Sequence, residues 1–300
     1  MRLNQVRDFL SVVDAGSISA AARSIGTSQP GLTKSVAALE AELGVSLLRR
    51  TPRGVLPTRY GRAFYVRAKV AHSELIKAGD EMAQMAGLGG GRASIGFGPF
   101  VAAQIVPQAV ARFRREQPDV ELRLIEGFAH ALLPLVRDET LDLVFAPRLP
   151  GLRKDAAIRF KPVFHHTLAV VARRGHRLGK IRSAAELGGT EWLSFEPREV
   201  TERWLSSIGV PAPRKITQCE SLNALLSLLA YTDMLAISSR RLMGFAQAER
   251  MLQEIVLSEQ LPTMTVGLYS RADAPLTPPV AALARVLTEV GRDPHPKEPG

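Results

Sequence analysis

The stretch from residue 17 to residue 42 constrains the fold of this chain more than any other. Apolar residues recur at helical spacing between residues 18 and 25 and predict a short helix, which Gly26 ends because glycine adopts the left-handed conformation. Ser28 is a capping residue, and Pro30 favours the first turn of a second helix. Apolar residues at 32, 36, 39 and 43 then predict that the second helix packs on the first.

The outer face of this second helix carries Gln29, Thr33 and Lys34 close to its N-terminus. Glutamine pairs with adenine, threonine contacts the thymine methyl group, and lysine reaches guanine or phosphate. A helix that presents its first turns to the major groove is the recognition element of a helix-turn-helix. The alternative is an ordinary helical hairpin with a solvated polar face.

The segments on either side favour the helix-turn-helix. A preceding amphipathic helix, with apolar residues at 6, 9, 10 and 13, completes a three-helix core. Two short apolar runs, 45–48 and 55–58, surround a Pro/Gly turn and predict a small hairpin, or wing. Arg50 and Arg53 at the tip of this wing suit contacts with phosphates, which position a protein without reading sequence.

This region resembles the N-terminal domain of the LysR-type bacterial transcription regulators over about sixty residues. The matched motifs are Gly16-Ser17, Ala21-Ala22, Ser28-Gln29-Pro30, Leu39-Glu40, Leu43-Gly44, Leu47-Leu48-Arg49-Arg50 and Pro57-Thr58. The resemblance implies a recognition helix facing the groove and arginines near phosphates. The implied DNA-binding residues are Arg23, Ser28, Gln29, Pro30, Thr33, Lys34, Arg50, Arg53 and Thr58. One departure is Gly31, where the family more often has alanine.

Charge and cysteine content fit a DNA-binding protein of the cytoplasm. Residues 1–62 carry a net charge of +5, half of the +10 of the 300-residue chain, which favours a polyanionic partner. Cys219 is the only cysteine, so the chain forms no internal disulfide, as is typical of a reducing compartment. No signal peptide and no membrane-spanning segment is expected.

Residues 59–86 lack proline and predict one long helix. Its apolar residues alternate spacings of four and three, and this seam is typical of a coiled coil. The resemblance implies a linker helix that pairs with its copy in a dimer. The alternative is a helix that packs on its own domain. The predicted dimerisation residues are Phe64, Ala68, Ala71, Leu75, Ala78 and Met82.

Residues 87–91 are almost all glycine and predict a hinge, since the lysine and hydroxyl residue of a phosphate-binding loop are missing. From residue 92 onward strands and helices alternate, which indicates a mainly parallel α/β sheet. The fold class is therefore a mainly α winged helix-turn-helix domain (1–58) and linker helix, followed by an α/β domain (92–290). A disordered tail is expected at 291–300.

The C-terminal part also resembles the LysR-type effector domain, with two periplasmic-binding-protein-like subdomains, through Arg92-Ala93-Ser94-Ile95-Gly96, Leu141-Asp142-Leu143-Val144 and residues 172–178. We assign the first subdomain to about 92–161 and 268–290, and the second to 162–267. Ligands of open α/β sheets bind at the C-terminal ends of strands. The candidate effector-binding residues there are Pro99, Phe100, Val101, Phe128, Pro147, Arg148, Phe195 and Ser238.

The chemistry of these residues suggests the effector. The three phenylalanines favour an apolar or aromatic cleft, although each is equally consistent with a core position. Arg148 is the candidate anchor for a carboxylate or sulfonate, because a guanidinium grips such groups with two hydrogen bonds. A solvated surface cation is the alternative. The family often senses small organic acids, so an organic acid or aromatic compound is expected.

Other classes of protein explain the sequence less well. His130 and His165-His166 are candidate metal ligands or general bases, but adjacent histidines in a strand point to opposite faces. No HExxH, GxSxG or CxxC motif is present, which argues against an enzyme and a metal site. A solute-binding protein would leave the basic N-terminal domain unexplained. An architectural DNA-binding protein would leave the sensor-like domain without a role.

The sequence therefore predicts a cytoplasmic, effector-controlled transcription regulator that needs no cofactor. Its expected partners are double-stranded operator DNA, a small-molecule effector and RNA polymerase. We expect a homodimer that assembles further into a homotetramer, because the resemblance implies dimers of dimers.

Overall fold

The computed structural model describes residues 1–52, 54–86, 90–102, 105–149, 155–244 and 246–293. The chain forms two compact units. Residues 1–91 with the short segment 138–140 form the N-terminal unit, and the C-terminal unit holds 92–137 and the chain from 141 onward. Of the predicted hinge, 87–89 lie outside the described residues. So does the tail from 294, whereas the last helix extends to Arg292.

Three helices, a hairpin and a long helix make the N-terminal unit. Gly16 ends the first helix with a positive φ of 62°, and Ser17 caps the second by accepting a hydrogen bond from the amide of Ala20. This local chemistry produces the tight connections that the sequence predicts. The elements are α1 (Leu3–Ala15), α2 (Ile18–Ser24), α3 (Gln29–Leu43), β1 (Leu48–Thr51), β2 (Gly54–Pro57) and α4 (Arg59–Met85).

The core of the N-terminal unit includes the first part of α4. Phe9, Leu32 and Leu39 are fully buried. Phe64 packs edge-on against Phe9 with 5.4 Å between ring centroids, and Ala68 is buried in the same cluster. The first two positions of the predicted seam therefore belong to the core of their own unit. This corrects the prediction that the whole seam is free to meet a partner helix.

The hairpin is tied to the helices at both ends. The Glu40 carboxylate accepts hydrogen bonds from the amides of Leu47 (2.6 Å) and Leu48 (2.9 Å) at the start of β1. At the start of β2, the amide of Val55 donates to the carbonyl of Gly16 over 2.8 Å. These contacts fix the wing relative to α3.

A sheet in the order β4-β3-β5-β11-β6-β9-β7-β8, with β10 beside β6, runs through the C-terminal unit. Helices flank it, and short 3-10 segments follow β6 and β9. The elements are β3 (Arg92–Phe97), α5 (Pro99–Ala102), α6 (Ile105–Glu116), β4 (Glu121–Glu126), α7 (Ala129–Arg137), β5 (Leu143–Pro147), β6 (Ile158–Arg173), β7 (Glu191–Ser194), α8 (Arg198–Ser207), β8 (Lys215–Gln218), α9 (Leu222–Tyr231), β9 (Leu235–Ser239), α10 (Ala246–Met251), β10 (Leu252–Ile255), β11 (Thr263–Arg271) and α11 (Pro278–Arg292).

Two antiparallel strands, β6 and β11, join the two subdomains. They pair from Thr263 opposite Thr167 to Arg271 opposite Ile158, with a shift in register at Gly267. A Cβ at Gly267 would lie 2.3 Å from the carbonyl oxygen of Lys161, so the two backbones meet there only because the residue is glycine. Parallel strands β3–β5 lie on one side of this pair, and β7–β9 lie on the other.

Each subdomain has cores on both faces of the sheet. In the first subdomain Phe113 and Phe145 lie in one core, and Leu133 and Tyr269 lie in the other. In the second subdomain Trp192 is buried on one face, and Leu225 packs on the opposite face. The C-terminal ends of the parallel strands therefore project from a rigid framework.

Candidate DNA-binding surface and effector cleft

The start of α3 has the geometry of a capped recognition helix. Ser28 caps it, since its hydroxyl oxygen accepts a hydrogen bond from the amide of Gly31 over 3.2 Å. A Cβ at residue 31 would lie 2.9 Å from that same oxygen. Glycine at this position, the departure from the family pattern, leaves room for the cap.

The outward face of this helix is open to a partner. Gln29, Pro30 and Lys34 are exposed, and Thr33 is half-buried with its hydroxyl donating to the Gln29 carbonyl over 2.9 Å. Arg23 is exposed at the end of α2. The fold therefore brings these predicted residues to the surface at the helix-turn-helix, while Leu32 and Leu39 hold the helix from beneath.

The wing adds exposed cations beside this face. Arg49 and Arg50 are exposed in β1. Together with Arg23 and Lys34, they make no ion pair with any other residue that the structure describes. Positive charge without an internal counterion favours a polyanionic ligand. The prediction for Arg53 falls outside the described residues.

Thr58 has a role inside the unit. Its hydroxyl donates to the carbonyl of Ser46 over 2.7 Å and accepts from the amide of Gly61 over 3.0 Å. These bonds join the start of α4 to the segment before the wing. Thr58 therefore stabilises the fold, and we leave it out of the proposed DNA-contacting set.

The far half of α4 presents the rest of the seam to solvent. Leu75 is 55% exposed and Met82 is 56% exposed, and Ala71 and Ala78 are also exposed. These four residues, at spacings of four, three and four, form one apolar stripe, called the distal seam below. An apolar stripe of this kind on a long helix suits pairing with another helix.

Aromatic rings fill the junction between the two subdomains of the C-terminal unit. Phe100 follows β3 and Phe128 follows β4, and both contact Phe195 at the end of β7, with 5.4 Å and 6.1 Å between ring centroids. Phe195 is buried, and the other two rings are half-buried. The structure thus brings together the three phenylalanines that the sequence analysis selected.

A cavity of about 410 Å³ opens beside Phe128, which lines it, whereas Phe100 and Phe195 do not. One wall comes from the first subdomain and the other from the start of α9, where Ser221 caps the helix. Two exposed carboxylates, Glu126 and Glu220, stand at its rim. The lining residues are Pro99, Ala102, Glu126, Gly127, Phe128, Glu220, Ser221, Leu222 and Asn223.

Three predicted effector contacts lie elsewhere. Val101 is fully buried in the core of the first subdomain. The Pro147 carbonyl accepts a hydrogen bond from the Tyr269 hydroxyl over 2.7 Å. Arg148 is exposed, and its guanidinium lies 5.3 Å from the centroid of the Phe160 ring. None of the three lines the cavity described above.

Buried polar groups, among them His166, Ser238 and Ser239, lie near the aromatic junction. His166 is 6% exposed, and its Nδ1 atom is 2.7 Å from the hydroxyl of Ser239. Burial, and secondarily the nearby charge of Arg241, lowers the pKa of His166 to about 4. The neighbouring His165 is exposed on the opposite face, as alternation in a strand predicts. The hydroxyl of Ser238 is wholly buried without a hydrogen-bond partner among the described residues.

A second titratable pair borders the rings. The ring of His130 stacks on Phe128 with 5.9 Å between centroids. Burial raises the pKa of the Glu196 carboxyl, and the nearby His130 opposes this effect. His130 is exposed and Glu196 is half-buried, and no sequence motif signals that the fold brings them together.

Known protein families match both parts of the chain. The model of the bacterial regulatory helix-turn-helix protein, lysR family, matches residues 3–62, and the model of the LysR substrate binding domain matches residues 86–292. The chain belongs to the LysR family. It is a DNA-binding transcription regulator and not an enzyme, and it carries the substrate-binding domain of the family.

Full-length relatives share this organisation. The SDS degradation transcriptional activation protein of Pseudomonas sp. is 30% identical over 310 residues, covering 97% of this chain and 97% of that protein. The transcriptional regulator PcaQ of Agrobacterium fabrum is 29% identical over 299 residues, covering 96% and 94%. This chain therefore resembles such LysR regulators along nearly its whole length.

Solved structures agree on the fold. Full-length OxyR from Pseudomonas aeruginosa has a TM-score of 0.71 at 21% identity, covering 97% of this chain and 95% of that one. Full-length CbnR in complex with its target DNA has a TM-score of 0.67 at 21% identity, covering 97% and 100%. The predicted fold class is thereby confirmed. Within the described part of the chain, no helix has the length and apolarity to cross a membrane.

Proposed function

We propose that this LysR-family regulator reads its operator in the major groove through the first turns of α3. The observation that carries the proposal is the exposed pair Gln29 and Lys34 on a helix that Ser28 caps. Glutamine specifies adenine, and lysine reaches guanine or phosphate. Arg23 and Arg50 lie where phosphates beside the groove would run, and they hold the protein in place without reading bases.

The protein acts as a homodimer in which two α4 helices pair through the distal seam. The seam exposes apolar residues on one side of a helix of 27 residues. A two-fold dimer presents two recognition helices to two half-sites. Family membership supports further association of dimers into tetramers, contact with RNA polymerase, and action in the cytoplasm. We also propose domain limits of 1–58, 59–86 and 92–290.

The effector is a small organic acid or an aromatic compound bound between the two subdomains. The support is the aromatic junction of Phe100, Phe128 and Phe195, which joins both subdomains and borders a cavity of about 410 Å³. A ligand that enters there contacts both halves, so it favours one relative arrangement of them over another. A solute-binding protein or an architectural DNA-binding protein is disfavoured, because both family domains are present.

A binding comparison tests the DNA proposal. A duplex selected from random sequence by the purified protein, and a scrambled duplex, are titrated with the wild type, Gln29→Ala and the control Gln117→Ala, which is exposed outside the DNA-binding unit. Gln29→Ala should weaken binding to the selected duplex by about 10–100-fold and change binding to the scrambled duplex little, because a base contact gives about 1–3 kcal/mol of discrimination. Equal losses on the two duplexes would refute base reading by Gln29.

A further inference from the structure

Two side chains near the aromatic junction, His166 and Arg241, each hold one buried nitrogen that has no hydrogen-bond partner among the described residues. His166 lies in β6, one of the two connecting strands, and contacts the ring of Phe100 in the first subdomain with 6.1 Å between centroids. Arg241 lies in the 3-10 segment directly after β9. The Phe164 ring neighbours both, with its centroid 4.4 Å from Cζ of Arg241 and 5.9 Å from the centroid of the His166 ring.

The hydrogen bond between His166 and Ser239 engages Nδ1 and leaves Nε2 for another partner. Nδ1 lies 2.7 Å from the hydroxyl of Ser239, which can donate to it. A neutral imidazole that accepts at Nδ1 carries its proton on Nε2. The Nε2 atom is buried and has no hydrogen-bond partner among the described residues. His166 therefore offers one N–H group on the side of its ring that faces away from Ser239.

The guanidinium of Arg241 has few hydrogen-bond acceptors around it among the described residues. Its Nη1 atom is buried and has no partner in the described part of the chain. Its hydrogen bond is a long one, 3.5 Å from Nη2 to the carbonyl oxygen of Asp293. Burial lowers the pKa of Arg241, and the charge of Asp293 opposes this effect. The adjacent Arg240 differs, since it is exposed and pairs with Glu254 at 2.6 Å and 3.1 Å.

These groups share one chemistry. A buried donor without an acceptor costs about 1–3 kcal/mol, and a desolvated charge costs more, so a ligand that accepts hydrogen bonds from both groups would remove this cost. One N–H of a neutral imidazole and a guanidinium both donate, so they suit an anion and repel a cation. Arginine binds a carboxylate more strongly than a neutral acceptor. Phe100 and Phe164 supply apolar contacts for the body of the same ligand.

We propose that Nε2 of His166 and the guanidinium of Arg241 hold the carboxylate of the effector, against the rings of Phe100 and Phe164. This assignment rests on the proposed effector-binding function. Arg241 takes the role of anchor that the sequence suggested for Arg148. The cavity beside Phe128, which Glu126 and Glu220 border, then receives an uncharged part of the ligand.

Acetate and acetamide provide a matched pair of probes, because acetate is a minimal carboxylate and acetamide is its neutral isostere. The melting temperature of the full-length protein is measured with up to about 200 mM of each, at constant ionic strength. Acetate should raise it by about 2 °C or more beyond acetamide, through mass action. Arg241→Met should abolish this difference, whereas the neighbouring control Arg240→Met should keep it. His166→Asn, which retains an acceptor for Ser239 but removes the Nε2–H group, should reduce it.

Two results would overturn the assignment. One is an equal rise in melting temperature with acetate and acetamide in the wild type, and the other is an undiminished acetate effect in Arg241→Met. If Arg241→Met fails to fold, His166→Asn and Arg241→Lys decide by the same comparison. Ligand-free Arg241→Met should bind the selected duplex with unchanged affinity. Failure of the anion anchor is thereby distinguished from failure of the proposed DNA-binding function.

Discussion

Protonation of His166 should destabilise the C-terminal unit as the pH falls below neutrality. His166 is buried and lies near the charge of Arg241, so the folded protein binds the extra proton weakly and the unfolded chain binds it normally. The folded pKa is thus below the unfolded one. The stability that the neutral ring contributes is present above about pH 6.5 and is lost as the pH falls toward 4.

The size of the effect follows from the two pKa values. The pKa of His166 is lowered to about 4 in the folded state and is about 6.5 in the unfolded chain. Lowering the pH from 7 to 5 should therefore reduce the free energy of unfolding by about 2 kcal/mol. For a unit of this size that corresponds to roughly 4–8 °C in melting temperature.

The assay is urea denaturation of the wild type and His166→Asn at pH 7 and at pH 5. Asparagine places an oxygen near the position of Nδ1 and can accept from Ser239, but it does not titrate. Other groups, such as His72, titrate alike in both proteins and cancel in the comparison. The wild type should lose about 2 kcal/mol more than the variant between the two pH values. Equal losses in the two proteins would show that His166 is not held neutral by burial.

Three further predictions concern the N-terminal unit. Glu40→Ala removes the acceptor of the Leu47 and Leu48 amides and should cost about 1–3 kcal/mol in urea denaturation, whereas Glu40→Gln, which keeps an acceptor oxygen, should cost less. Arg50→Ala should weaken binding to the selected and scrambled duplexes alike and reduce the slope of log affinity against log salt by about one, measured by fluorescence anisotropy. Met82→Lys should convert dimer to monomer in sedimentation velocity, because it places a charge in the distal seam.

Each of these predictions has a result that contradicts it. Similar losses for the two Glu40 variants would mean that the wing is held by other contacts. A salt slope unchanged in Arg50→Ala would remove this residue from the phosphate contacts. For the seam, Val66→Lys is the matched control, since Val66 is 55% exposed on α4 but lies off the stripe. Dissociation by both lysine variants would point to a general effect of charge on the helix.

Local signals made the N-terminal unit predictable from sequence. Gly26, Ser28 and Pro30 mark the turn and the start of α3, because capping and left-handed geometry depend on neighbouring residues alone. The seam of α4 shows the limit of such local signals. Phe64 and Met82 have the same periodicity, yet one is packed on Phe9 and the other is exposed. Periodicity identifies an apolar face but not its partner.

The effector site depends on contacts between distant segments and was predictable only in part. The rule that ligands bind at the ends of parallel strands correctly selects Phe100, Phe128 and Phe195 as neighbours. The same rule selects Arg148, which directly follows β5, and passes over Arg241. Arg241 is half-buried and contacts Phe164, which lies far away in the chain. Residue type and local spacing do not reveal such burial.

The order in which the chain is synthesised gives the crossover of β6 and β11 a further consequence. The core of the N-terminal unit involves residues 6 to 68, so it is complete early in translation. In contrast, β11 pairs with β5 and β6, and it leaves the ribosome almost last. Strand β5 of the first subdomain and the connecting strand β6 therefore gain this partner only late in synthesis. A chain truncated before Thr263 would keep its DNA-binding unit. It would lack the strand that pairs with β5 and β6, and with it the control of transcription by the C-terminal unit.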